Sequence, residues 1–130
     1  MELQDFVGIP YVSGGRVIEG LDCWGLVLLA AKELYGFDLP DYSAYKDSDN
    51  LEQIKPLFEA RSDWSRVDLE DAVDGDVVVL TMMGHPIHAG LYVGGGRMLH
   101  SMSGRDSCVE RYTTSNWARR IEGVYRWQTR

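Results

Sequence analysis

One segment constrains this chain more than any other: Leu21 to Gly36, which reads LDCWGLVLLAAKELYG. Asp22 has the short carboxylate that caps a helix N-terminus, and Gly36 is the residue type that ends a helix in the left-handed conformation. Between them nearly every side chain is apolar, so this helix has no face to offer to water. Such a helix is central and buried, and the rest of the chain must be laid around it. Residues 8–20 (GIPYVSGGRVIEG) are loop, punctuated by Gly and Pro. Residues 37–48 are irregular, and a second helix is expected from Asn50 to about Ala60, with Pro56 in its middle. From residue 76 the period becomes that of strands: Asp76–Thr81, His88–Val93, Arg97–Ser101, Cys108–Tyr112 and Gly123–Trp127, with a short helical piece over Ser115–Arg120. Helices first and strands last give an α+β fold, a buried N-terminal helix packed on an antiparallel β-sheet of about five strands. No repeat or linker divides the 130 residues, so a single domain over 1–130 is expected.

Charge narrows the partners. Thirteen basic against twenty acidic residues leave a net charge of −7. No basic stripe offsets it, so nucleic acid is not an expected partner, since phosphate binding needs clustered cations. An anionic membrane surface is disfavoured for the same reason. The longest apolar run, Leu26–Ala31, is too short to span a bilayer, so no membrane insertion is expected. Met1–Asp5 carry neither a positive n-region nor an apolar h-region, which points to synthesis in the cytoplasm without a secretory signal. Two cysteines, Cys23 and Cys108, are fewer than a disulfide scaffold carries, and they suit one working thiol and one bystander.

The working thiol is Cys23. With Asp22 as cap it lies in the first helical turn, where unpaired N–H groups and the helix dipole favour an anion. That lowers a thiol pKa and supplies donors for an oxyanion, while the Asp22 carboxylate acts in the opposite sense. A thiol nucleophile needs a base, and His88 and His100 lie on the two arms of an expected hairpin. If its loop is Gly94–Gly96, Val93 faces Arg97, and His100 lies opposite Gly90 on the same face as His88, within reach of its ring. A two-residue loop would put the two imidazoles on opposite faces. In the first register His88 takes the thiol proton and His100 orients the His88 ring, the nucleophile, base and orienter arrangement of papain-like enzymes. His85, in Gly84-His85-Pro86, reads as a structural turn residue.

Five blocks in order, GxPYVxGG from Gly8, GxDCWGLV from Gly20, GDVV from Gly75, HAGLYV from His88 and MLHS from Met98, resemble the NlpC family of papain-like bacterial cell-wall cysteine peptidases. The resemblance runs from about Phe6 to the C-terminus. It implies an NlpC-type fold, Cys23 as nucleophile, His88 as base and His100 as the third, orienting residue. It also implies an oxyanion or substrate site formed by Tyr11, Asp22 and Trp24. Asp22 matches an acidic residue that in some members helps to bind the free amine of a stem peptide. Trp24 stands where members often carry Ser. The implied substrate is a peptidoglycan stem peptide, cut at a D-γ-glutamyl-diaminopimelate type bond, with no cofactor. The DCWGLV block followed by ELYGxxLPxY (Glu33–Tyr42) resembles the subset found in tailed phages. For that subset the implied partners are tail-tip or hub proteins, and the implied location is the virion tail tip, assembled in the host cytoplasm and acting on the cell wall.

Other readings use the same residues. A papain-like amidase would apply Cys23 and His88 to a different amide bond. A tail-assembly module would keep the fold with little activity. A zinc site from Cys23, His88, His100 and Cys108 or His85 has suitable ligand types, but their spacings match no compact zinc motif, so no metal is expected.

Overall fold

The computed structural model describes residues 1–42, 45 and 50–128. A 3-10 turn at Leu3–Phe6 leads into a loop that carries a two-stranded ribbon, β1 (Arg16–Val17) and β2 (Gly20–Leu21). Helix α1 (Cys23–Tyr35) follows at once, then α2 (Leu51–Glu59), and the rest of the chain is mainly strand: β3 (Trp64–Val67), β4 (Val77–Met82), β5 (His85–Tyr92), β6 (Arg97–Met102), β7 (Arg105–Arg111) and β8 (Ile121–Trp127). A second 3-10 turn, Asn116–Arg120, precedes β8. β3 to β8 form one antiparallel sheet in the order β3-β8-β4-β5-β6-β7. The irregular stretch expected over 37–48 falls partly at 43–44 and 46–49, outside the described residues. No helix among the described residues is long and apolar enough to cross a membrane.

The expected helix is present with both of its caps, but it is not buried all round: Lys32 and Glu33 are exposed and Leu28 and Leu29 half-buried, because the sheet covers one side of it. The Asp22 carboxylate accepts the Gly25 N–H at 2.7 Å, and Gly36 closes the helix at φ 76°. Trp24, Leu26, Val27, Ala30 and Ala31 are buried against Val77, Val79, Ala89, Leu91, Leu99 and Tyr125 on one face of the sheet. Gly25 lets the loop cross the first turn, because a Cβ there would lie 2.1 Å from the Gly15 carbonyl oxygen. The other face of the sheet is covered too, by Tyr112 and Trp117 over Val78, Leu80, Met98 and Val124. In α2, Asn50 caps through Glu52 and Gln53 N–H groups, and Pro56 is tolerated inside a helix of nine residues.

Three expectations change. The sheet has six strands, because the four-residue, half-polar β3 pairs with β8 at an edge. β7 begins at Arg105 and ends at Arg111, three residues earlier at its start than Cys108. His85 is not in a turn. The turn is Met83–Gly84, with φ 52° and 79°, and His85 opens β5 as the partner of Met82. Two positive φ values suit the tight hairpin whose twist matches its strands.

Candidate active site

The hairpin that carries both histidines has the register in which they share a face. Val93 N–H donates to the Arg97 carbonyl at 3.1 Å, and Leu91 and Tyr92 pair with Leu99 and Met98. That register sets Gly90 against His100, and a Cβ on Gly90 would lie 3.3 Å from the His100 Cβ and 2.9 Å from Met98 Sδ. Glycine is what lets β6 approach so closely. His88 Nε2 and His100 Nδ1 are 2.9 Å apart, and both rings are almost wholly buried. Trp117 stacks on His88 at 5.4 Å between ring centroids and meets His100 edge-on at 5.2 Å, so an indole keeps water from the bond between them.

The hydrogen-bonded chain has a third member that sequence reasoning did not single out. Glu110, on β7, accepts from His100 Nε2 at 2.9 Å, and Arg105 lies 3.3 Å from the same carboxylate oxygen. Burial works against its charge, but hydrogen bonds from His100 and Cys108 and the charge of Arg105 together hold the Glu110 carboxyl below its usual range. An ionised carboxylate only accepts, so the His100 proton sits on Nε2 and its Nδ1 is left to accept. His88 then donates from Nε2 and keeps a lone pair on Nδ1. Burial holds His100 neutral against the pull of Glu110, so the contact is a hydrogen bond to a neutral ring.

Cys23 is half-buried at the start of α1, and the backbone N–H groups of Ala89 and Trp24 hydrogen-bond its sulfur. The expectation that the helix start lowers its pKa is overturned. Burial, with the Asp22 charge second, pushes the thiol up to about 12 against those N–H groups and Arg16. Burial first and His100 second hold His88 down to about 3. The resting pair is therefore a neutral thiol and a neutral imidazole, and charge separates only when the proton moves.

Cys23 opens on two hollows. One is shared with Tyr11, Ile87, His88, Ser101 and Met102. Its Ser101 hydroxyl is buried and has no hydrogen-bond partner among the described residues. An orphaned buried hydroxyl costs roughly 1–3 kcal/mol, so it calls for an explanation. The other hollow is aromatic, walled by Trp24, Tyr42, Phe58, Trp64 and Tyr125. Tyr42, Phe58 and Trp64 come from the stretch 37–70, where the sequence marked no subsite, while Trp24 starts α1 and Tyr125 lies on β8.

The expected substrate residues separate. Tyr11 lines the hollow with His88, and its backbone bridges to Leu21. Trp24 is buried, its indole N–H on the Pro40 carbonyl at 2.8 Å, with Tyr42 and Trp64 packed around it. Asp22 is wholly buried and engaged at both oxygens: Oδ1 accepts from Gly25 N–H and from Arg16 at 2.9 Å, and Oδ2 accepts from the Tyr45 hydroxyl. Neither oxygen is left for a substrate amine. Cys23, His88, His100 and Cys108 do not gather as one metal site among the described residues. The cluster with ligand spacing is His100, Cys108 and Glu110.

A helix-borne thiol and a strand-borne imidazole pair on an antiparallel sheet define an α+β, papain-like protein. The chain belongs to the NlpC/P60 family, whose model matches residues 8–126. It is similar to the tail tip assembly protein K of Escherichia phage lambda, 31% identical over 95% of this chain and 63% of that protein. It is similar also to the gamma-DL-glutamyl hydrolase of Bacillus subtilis, 28% identical over 96% of this chain and 28% of that protein. The chain thus spans less than two thirds of these relatives. Among solved structures, an NlpC/P60 family protein from Bacillus cereus superposes with a TM-score of 0.67 at 25% identity, covering 95% of this chain and 37% of that one. The NlpC/P60 domain of the peptidoglycan hydrolase SagA gives a TM-score of 0.62 at 21% identity, covering 95% of this chain and 91% of that one.

Proposed function

We propose that the domain is a cysteine peptidase that cuts peptidoglycan stem peptides at a D-γ-glutamyl-diaminopimelate type bond. The observation that carries this reading is the chain from Glu110 through His100 to His88, which leaves the His88 Nδ1 lone pair for a proton beside a half-open Cys23. In the reaction, Cys23 gives its proton to His88 Nδ1 as its sulfur attacks the scissile carbonyl. The charged His88 is stabilised by His100, and through it by Glu110. His88 then protonates the leaving amine, and water releases the acyl group from Cys23. His100 and Glu110 are positioning residues. First-turn N–H groups of α1 and the Tyr11 hydroxyl are the oxyanion donors in this reading. Ser101 bonds the bound peptide, which explains its orphaned hydroxyl, and Trp24 forms an apolar wall. Asp22 holds the loop and helix together and takes no part in amine recognition, so a stem peptide with a blocked N-terminus is accepted.

The likeness to the phage lambda protein along nearly the whole chain supports a tail-tip setting, in which tail-tip or hub proteins carry the domain to the wall. The same likeness favours one second reading, a tail-assembly module of this fold with little activity. Mass spectrometry of purified peptidoglycan digested with wild type and with Cys23→Ala separates the two. Release of new γ-glutamyl ends by wild type alone supports the peptidase. Identical digests overturn it for this domain.

A further inference from the structure

We propose that His100, Cys108 and Glu110 form an inhibitory site for a thiophilic divalent cation such as Zn2+. Cys108 is the cross-strand partner of His100, and Glu110 lies two residues along the same strand, so the three share one face of the β6–β7 ribbon. Their ligand atoms lie within 4.8 Å of one another: 2.9 Å from His100 Nε2 to Glu110 Oε1, 3.7 Å from Nε2 to Cys108 Sγ, and 3.4 Å from Sγ to Oε1. A tetrahedral zinc with bonds of about 2.0–2.3 Å separates its ligand atoms by roughly 3.3–3.6 Å. Only the Glu110 oxygen must swing aside, and that side chain is about a quarter exposed, at 29%. Imidazole, thiolate and carboxylate are the ligand types zinc takes, with water for the fourth position. The place already attracts a cation: the Arg105 guanidinium lies 3.3 Å from Glu110 and 3.8 Å from Cys108, on a side chain exposed enough to withdraw.

The inhibition rests on the peptidase reading. On binding, Cys108 releases its proton to solvent and becomes a thiolate. The metal takes the lone pair of His100 Nε2, so the ring proton moves to Nδ1 and points at His88. His88 Nε2 must then accept, and its own proton moves to Nδ1, the nitrogen that would take the proton from Cys23. One proton leaves in all, no ring changes charge, and the base has lost its lone pair.

The test uses the full chain with Co2+ and Zn2+ as probes. Co2+ should give a thiolate-to-metal charge-transfer band that persists in Cys23→Ala and disappears in Cys108→Ser. Zn2+ should inhibit muropeptide cleavage, with Cys108→Ser needing at least about tenfold more zinc for the same fractional inhibition, each protein being compared with its own metal-free rate. Arg105→Gln should need less. A band lost in Cys23→Ala but kept in Cys108→Ser would place the metal on the nucleophile and overturn the proposal, as would no band at millimolar Co2+. If wild type cleaves nothing, the peptidase reading fails, and the cobalt band still decides whether the site exists.

Discussion

Acid should unfold this domain through His88. The ring is buried at 3% exposure beneath Trp117, and burial, with His100 second, holds its pKa near 3. In the unfolded chain the same ring takes a proton near pH 6.5. Between those two values the unfolded state binds one more proton than the folded state. Stability is therefore fully present above about pH 6.5 and falls with pH below it, by about 1.4 kcal/mol per unit. From pH 6.5 to 4.5 the loss from this group alone is about 2 kcal/mol, a large part of the roughly 5–15 kcal/mol that holds a domain together. His100 is lowered as well and adds in the same direction. Urea unfolding at pH 7 and pH 4.5 measures the loss, and His88→Gln isolates it, because glutamine does not ionise. Wild type should lose about 2–3 kcal/mol more than His88→Gln between the two pH values. Equal losses would refute the claim that the buried ring is neutral and excludes its proton.

Other substitutions separate the remaining roles. Glu110→Ala should lower kcat about ten- to a hundredfold with KM nearly unchanged, the worth of one hydrogen bond to a charged group, while Glu110→Gln keeps an oxygen acceptor and most of the rate. Steady-state kinetics with 15N spectra of the histidine tautomers check this, and unchanged tautomers in Glu110→Ala would refute it. Ser101→Ala should raise KM roughly fivefold without lowering the melting temperature, since it removes a hydroxyl that the folded protein leaves unpaired. Gly90→Ala forces a Cβ to within 2.9 Å of Met98 Sδ and should cost about 1–3 kcal/mol in a urea melt, with a loss of kcat as His100 is displaced. For kcat/KM, the acid limb should lie well below pH 6.5, because activity is lost only as His88 itself takes a proton.

What was legible in the sequence was what short-range chemistry decides. Asp22 and Gly36 cap α1 because their side chain and backbone act within one turn of the helix end. Gly94, Gly95 and Gly96, all at positive φ, set the hairpin register, and that register alone brings His88 to His100. Glu110 was not legible, because its approach to His100 passes through the β6–β7 pairing, where a register irregularity lies between His100 and Met102. Trp117 reaches the imidazoles from a 3-10 turn that no strand pattern connects to them. The thiol failed for a different reason. A helix start argues for thiolate, but the depth at which Cys23 sits is a tertiary property, and burial outweighs the dipole.

The strand that carries Glu110 is an edge strand, and it is held by the beginning of the chain. Gly8 N–H donates to the Ser107 carbonyl at 2.8 Å and Ser107 N–H to the Ile9 carbonyl at 2.9 Å, while the Ser107 hydroxyl donates to the Phe6 carbonyl at 2.6 Å and accepts the Ile9 N–H at 2.8 Å. These bonds act as a clasp over backbone that would otherwise template pairing with another molecule. They also tie the first nine residues to the strand that positions the acceptor for His100, with Ser107 three residues before Glu110. Residues far from the imidazoles in sequence, and touching neither of them, therefore help to fix the place of the carboxylate, and loosening the clasp would be felt first at Glu110.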